Sequence, residues 1–377
     1  MSRRPAVAGL PEIVVAAVLA AGCGDAVSPA HRGLRAPEFA AAAGTGIALD
    51  QMSGSFGLSG VHIGKGFLPT NPHRGDAIVA TFFWIGADTI TTVTDHLCPG
   101  TPVGNTYTRV DYVTTGGVSM ATYVATNVQN FPDPPNPDPS TLLCVHAIFA
   151  QPVTDAGILI SAWSGVNVVA AQALGAHSSA SGSASTTTVA DAGALPVGTG
   201  ALTYAVTMSN GLFGRDAPPG FANISTQSDA SIVGEGDYAV QTGAGTVDPR
   251  WTWYFASPSS WLATAFTLNP PLHLGFTVQP STTLPLLPIQ PAVQVTVLDA
   301  FGNRNTSYTG QVTIAIGHNG GLLAPGTLSG TKTVTVVNGV ATFSDLSIDE
   351  PGTGYTLVVS GPTLTGAEST PFNIGAF

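Results

Sequence analysis

Residues 77–85 read Ala-Ile-Val-Ala-Thr-Phe-Phe-Trp-Ile behind Gly75-Asp76, an apolar run too short for a typical helix and rich in β-branched and aromatic side chains. That pattern predicts a buried strand. Comparable runs at 89–94, 106–113, 121–128, 142–149, 157–163, 202–208, 251–256 and 262–268 are separated by Gly, Asn, Asp and Pro clusters that supply turns. Many short strands so spaced predict a sandwich or barrel. After Pro270-Pro271 the texture becomes a clean alternation, Leu274-Phe276-Val278 and then Val293-Val295-Val297, as in strands with one face buried. Asn338-Gly339 between two further β runs predicts a hairpin, and 355–359 and 372–374 close the pattern.

The chain is therefore expected to be all-β, with one module at 47–269 and a second at 271–377. Its 377 residues suffice for two full cores. Composition agrees, since 45 glycines and 29 prolines disfavour helices and only 9 % of residues are charged. The net charge is −11, and between residues 45 and 270 the cations are Lys65, Arg74, Arg109, Arg215 and Arg250, scattered along the chain. A nucleic-acid partner is not expected, because displacing counterions from a polyanion takes clustered Lys and Arg.

The N-terminus changes the picture. Arg3-Arg4 precede an apolar run of ten residues, Ile13 to Gly22, too short to span a bilayer but suited to a removable export signal at 1–22. Residues 23–46, rich in Ala, Gly and Pro and without alternation, are expected to form a flexible tether. Three cysteines are an odd number for an exported chain. Assigning Cys23 to the end of the export signal leaves Cys98 and Cys144 as a pair, which an oxidising compartment would join as a disulfide pinning two loops.

Three resemblances follow from these residues. Leu19-Ala20-Ala21-Gly22-Cys23 resembles a bacterial lipobox, implying a lipid on Cys23 that holds the protein at a membrane; cleavage near Ala21 without lipid is the alternative. Gly75-Asp76, Val93-Thr94-Asp95, Gly104-Asn105-Thr106-Tyr107, Tyr123, Trp163-Ser164-Gly165-Val166 and Ala265-Phe266 together resemble a jelly-roll module of bacterial surface proteins. Val295-Thr296-Val297-Leu298-Asp299 with Gly302-Asn303, and Asn338-Gly339-Val340-Ala341-Thr342-Phe343, resemble the immunoglobulin-like repeats of invasin-type adhesins. These imply a jelly-roll-like β-sandwich followed by an immunoglobulin-like β-sandwich.

Candidate chemistry is sparse. His96-Leu97-Cys98 with Cys144-Val145-His146 could form a two-Cys, two-His metal set, but zinc sites usually space their cysteines by two to four residues, so no metal or other cofactor is expected. Ser164 lacks the Gly-x-Ser-x-Gly frame of a nucleophile elbow and reads as a turn residue. A glycosidase needs two placed carboxylates, and 47–269 holds one glutamate, Glu235. Asp88, Asp95, Asp111, Asp155 and Asp248 sit in turn-like contexts, while Asp229, Glu235 and Asp237 read as solvated loop acids before Ca²⁺ ligands. Trp251, Trp253 and Trp261 are the candidate ligand-binding residues: exposed they would stack on sugar rings, buried they are core, and the adjoining apolar strand favours core. A non-enzymatic, lipid-anchored envelope protein that binds a surface carbohydrate or protein is the leading expectation. A structural envelope component is the alternative, and a secreted polysaccharide hydrolase a third reading.

Overall fold

The computed structural model describes residues 46–375 apart from 99, 137, 212–214, 300, 301 and 307; the export segment expected at 1–22, Cys23 and the expected tether up to residue 45 lie outside these. The described chain is all-β, interrupted by one short helix, Ala170–Ala173, and one 3-10 turn, Pro139–Thr141.

The first sheet is built from β1 (Ala48–Gly66), β2 (Ala77–Ile85), β3 (Ile90–Leu97), β4 (Thr101–Pro102), β5 (Thr108–Thr115), β6 (Val118–Ala125) and β7 (Leu143–Ser164). Its order is β4-β3-β7-β2-β6-β5, with β1 along the other edge of β7. The stretches 142–149 and 157–163, expected as separate strands, are the two ends of β7. Its first half pairs with β3 and its second half with β2. Four register shifts interrupt the β1–β7 ribbon, and Gly57 and Gly60 on β1 take positive φ there. Bulges bend and twist a strand. One end of the ribbon thus forms an arm that contributes Ile63, Leu143, Val145, Ala147 and Phe149 to a core with Ile78, Ala80, Phe82 and Trp84 of β2.

The second sheet follows in sequence: β8 (Leu174–Ala184), β9 (Thr188–Asp191), β10 (Leu195–Val197), β11 (Leu202–Ser209), β12 (Arg215–Asp216), β13 (Ala222–Ser228), β14 (Val233–Val240), β15 (Gly245–Val247), β16 (Arg250–Trp253) and β17 (Ser259–Leu268). Five of these form the main layer, in the order β13-β14-β11-β17-β8. The remainder form a β12-β16-β9 sheet and a β10-β15 pair, which contribute Ala190, Leu195, Trp251 and Trp253 to a core with Ala205, Ala263 and Ala265 of the main layer. The two main layers share a further core, in which Val79, Phe83, Leu159 and Trp163 meet Tyr204, Met208, Leu262 and Phe266.

The central strands of both main layers are therefore buried on both faces, and this explains why β2, β6, β11 and β17 read as near-continuous apolar runs interrupted only by Ser and Thr. The layers are also built alike. In each, the first long strand pairs with the last, the last with the second, and the second with the trailing strand of a hairpin: β1-β7-β2-β6-β5 against β8-β17-β11-β14-β13. All these pairings are antiparallel. The last strands even match in sequence, Leu159-Ile160-Ser161-Ala162-Trp163 against Leu262-Ala263-Thr264-Ala265-Phe266, with Leu and Trp or Phe facing the shared core.

Beyond Pro270-Pro271 come β18 (Leu272–Val278), β19 (Val293–Leu298), β20 (Gln311–Ile316), β21 (Leu328–Ser329), β22 (Thr333–Thr335), β23 (Val340–Phe343), β24 (Ser347–Ile348), β25 (Gly352–Tyr355), β26 (Leu357–Gly361), β27 (Leu364–Glu368) and β28 (Phe372–Ile374). Among the described residues, no sheet joins these strands to the earlier ones. Seven form one sheet, β22-β20-β26-β27-β18-β19-β23, around a core that includes Val295, Ile314, Phe343, Tyr355 and Leu357. Asn338-Gly339 is a tight turn with both residues at positive φ, closed by hydrogen bonds in both directions between Val337 and Val340. Its two arms belong to opposite ends of the sheet. The turn consequently draws β22 and β23 together and nearly closes the sheet on itself.

Candidate functional site

Glu235 and Asp237 lie two apart on β14 and share one face of that strand. Both are buried, in contrast to the solvated loop acids expected. Glu235 forms an ion pair with Arg215 and accepts from Thr226 Oγ1 at 2.7 Å. Asp237 accepts from Trp251 Nε1 at 2.9 Å and from Asn223 Nδ2 at 3.1 Å. Burial raises the Asp237 carboxyl pKa, opposed by the bonds from Trp251 and Asn223 and by the Arg215 charge. Trp253 Nε1 reaches Thr207 Oγ1 at 3.3 Å, and the Trp253 ring stacks on Phe255.

Trp251 and Trp253 are fully buried and Trp261 is 9 % exposed, so these three side chains have no free face on which a sugar could stack. They are core. The network ties the β12-β16-β9 cover to the main layer. Asp229, grouped with these acids in the sequence, is elsewhere: its carboxylate accepts from the backbone N–H groups of Gly57, Ser231 and Ile232 and fastens the β13–β14 turn to β1.

Cys98 and Cys144 form a disulfide with a Cα separation of 5.8 Å. It ties the end of β3 to the start of β7. His96 and His146 stand beside it with their rings stacked, centroids 4.0 Å apart. Burial, then His96 and His62, lower the His146 pKa to about 4, so the ring is neutral at physiological pH. As a disulfide, the two cysteines offer no thiolates, and the four-ligand metal set read from the sequence is not formed.

Asp95, expected in a turn, is instead inside β3 and buried. Its carboxylate accepts from Gly104 N, Asn105 N, Asn105 Nδ2 and Tyr107 Oη at 2.7–3.2 Å. The Val93-Thr94-Asp95 and Gly104-Asn105-Thr106-Tyr107 signposts are thus two halves of one structural network.

A third acidic group had no sequence signal. Asp50 is the extra residue at the β1 bulge between Leu49 and Gln51, which turns its side chain toward the Gly75-Asp76 turn. The backbone N–H of His73 donates to Asp50 Oδ2 at 3.0 Å and to Asp76 Oδ2 at 3.1 Å, and His73 Nδ1 lies 3.1 Å from Asp50 Oδ2. Burial, and then Asp50 beside it, push the Asp76 carboxyl up to about 9. Asp76 is a neutral acid at pH 7, and the His73 N–H bridges it to Asp50, latching β1 to the start of β2.

One feature of the C-terminal sandwich is open to solvent. Among the described residues ten large apolar side chains are strongly exposed, and five of them, Leu284, Leu286, Leu287, Leu322 and Leu323, lie on two loops. Both loops hang on the same segment: Leu286 N donates to Ile348 O, Leu322 N to Pro351 O, and Leu323 N to Glu350 Oε1. An open depression of about 220 Å³ lies along Asn319 and residues 321–325. No matching family, curated protein or solved structure was found for this chain.

Proposed function

We propose that this chain is an exported surface-binding or adhesion protein, held at a membrane by lipid on Cys23, that engages a protein partner through the leucine loops of its C-terminal sandwich. Half of the exposed large apolar side chains among the described residues fall on two loops anchored to the one segment 348–351, and this carries the reading, because apolar side chains concentrated at the surface mark interaction sites. A protein partner fits better than a glycan. Leucine offers no aromatic face to a sugar ring, and the three tryptophans that would offer one are core. The disulfide supports export, since such bonds persist in oxidising compartments. The single glutamate of the first sandwich is held by Arg215 under a β cover, which favours binding over glycoside hydrolysis.

The test compares the purified chain with a Leu286→Asp, Leu323→Asp variant in capture from envelope fractions, with a glycan array alongside. The proposal expects one defined protein captured by the parent and lost in the variant, with the array silent. Equal capture by both would overturn the leucine loops as the site. Capture of nothing would favour a structural envelope component.

A further inference from the structure

The outer face of the arm holds a second arrangement. Cα pairing across β1, β7 and β3 sets Gly64 and Thr94 beside His146, Gly66 and His96 beside Cys144, and His62 beside Ile148. Because strand residues alternate, His62, His146 and His96 share one face, with His146 a diagonal neighbour of each of the others. Asp95, next to His96, is turned to the opposite face and held there by its four donors. The histidine face thus carries the three imidazoles, Gly64, Gly66, Thr94 and Ile148 around the disulfide, with no carboxylate from these strands' paired positions among the described residues.

Space for the rings is specific. A Cβ on Gly64 would come within 2.1 Å of His146 Nδ1, and one on Gly66 within 3.0 Å of Cys144 Sγ. The His96 and His146 ring nitrogens and Cys98 Sγ all lie within 4.8 Å of one another. His146 Nε2 is shielded from solvent and has no hydrogen-bond partner among the described residues. A buried ring nitrogen without a partner is a ligand-ready lone pair or an unmet donor. His96 precedes Cys98 by two residues and His146 follows Cys144 by two, so the disulfide fastens together the two strands that carry these imidazoles.

We propose that His96 and His146, with His62 as a third imidazole, form a binding site for a borderline divalent metal ion of the Zn²⁺ and Cu²⁺ class, with water completing the coordination. Imidazole donors select such ions over Ca²⁺ and Mg²⁺, which take carboxylate and carbonyl oxygen. The exposed His62 swings toward the metal, while the stacked pair separates by a rotation about each Cα–Cβ bond.

Equilibrium dialysis of the intact, disulfide-bonded chain against Zn²⁺ and separately Cu²⁺ tests this, with nitrogen superhyperfine splitting in the Cu²⁺ EPR spectrum as a second readout. One ion per chain is expected, with affinity lowered about tenfold or more in His96→Gln and in His146→Gln, less in His62→Ala, and unchanged in His318→Ala. Near-UV circular dichroism identifies any variant that fails to fold, and the EPR nitrogen count of the parent stands independently of the variants. Binding of neither ion, or binding that persists unchanged in folded His96→Gln and His146→Gln chains, would overturn the site.

Discussion

Asp76 shows how one carboxyl makes the stability of this fold depend on pH. Its folded pKa of about 9 stands far above the 3.8 of an unperturbed aspartate, so between those values the folded chain binds more protons than the unfolded one. The stability tied to this proton is fully present below about pH 4 and is lost as pH rises toward 9. Asp76→Asn keeps an acceptor for the His73 N–H and stays neutral beside Asp50 without binding a proton. Thermal unfolding should therefore show the variant above the parent in Tm at pH 8 and equal to it at pH 4. A variant less stable than the parent at pH 8 would contradict the raised Asp76 pKa. Glu235→Gln should act in the opposite sense, because it removes the ion-pair partner of the half-buried Arg215 and leaves it only the more distant charge of Asp237; a loss of stability is expected, read by urea unfolding. Neither behaviour was legible in the sequence. Asp50 faces Asp76 only because a bulge re-aims it, and Glu235 is buried only because β12 and β16 cover it, both consequences of long-range pairing.

At the scale of elements, legibility followed side-chain size. β2 was read to the residue, since nine successive apolar or β-branched positions have few other uses, and β11 and β17 were nearly as clear. The hairpin strand β6 begins at Val118, three residues before its predicted start, because the Gly116-Gly117 turn ahead of it went unread. β1 and β8 were not anticipated. Both are rich in Gly, Ser and Ala, and their residues are mostly half-buried or exposed, so neither carries the apolar alternation that marks a half-buried strand. They are the first long strand of each main layer, and missing them hid the shared topology of the two halves. The disulfide was legible by counting, and its energetic role follows from a sequence separation of 46 residues. Replacing both Cys98 and Cys144 by Ser should cost up to about 4 kcal/mol by the loop-closure argument. Denaturant unfolding of that variant with no loss of stability would contradict it.

For the whole molecule, an all-β chain rather than a mixed one was legible from glycine, proline and the spacing of apolar runs. The exposure of the leucine loops was not, because nothing in the sequence around 284–287 or 322–323 separates an exposed leucine from a buried one until the fold places it. Leu323 is 94 % exposed and Leu286 70 %, values that only the three-dimensional arrangement could supply. Leu286→Asp with Leu323→Asp removes apolar surface without touching the core, and the thermal midpoint is expected to stay within about 2 °C of the parent. That separates binding from folding. The most direct test of the account is the dissociation constant of the captured envelope protein for the parent and for this double variant, measured by surface plasmon resonance. The account predicts a loss of about tenfold or more in the variant, each desolvated anchor contributing on the order of 1 kcal/mol or more. An unchanged constant in a correctly folded variant would contradict it.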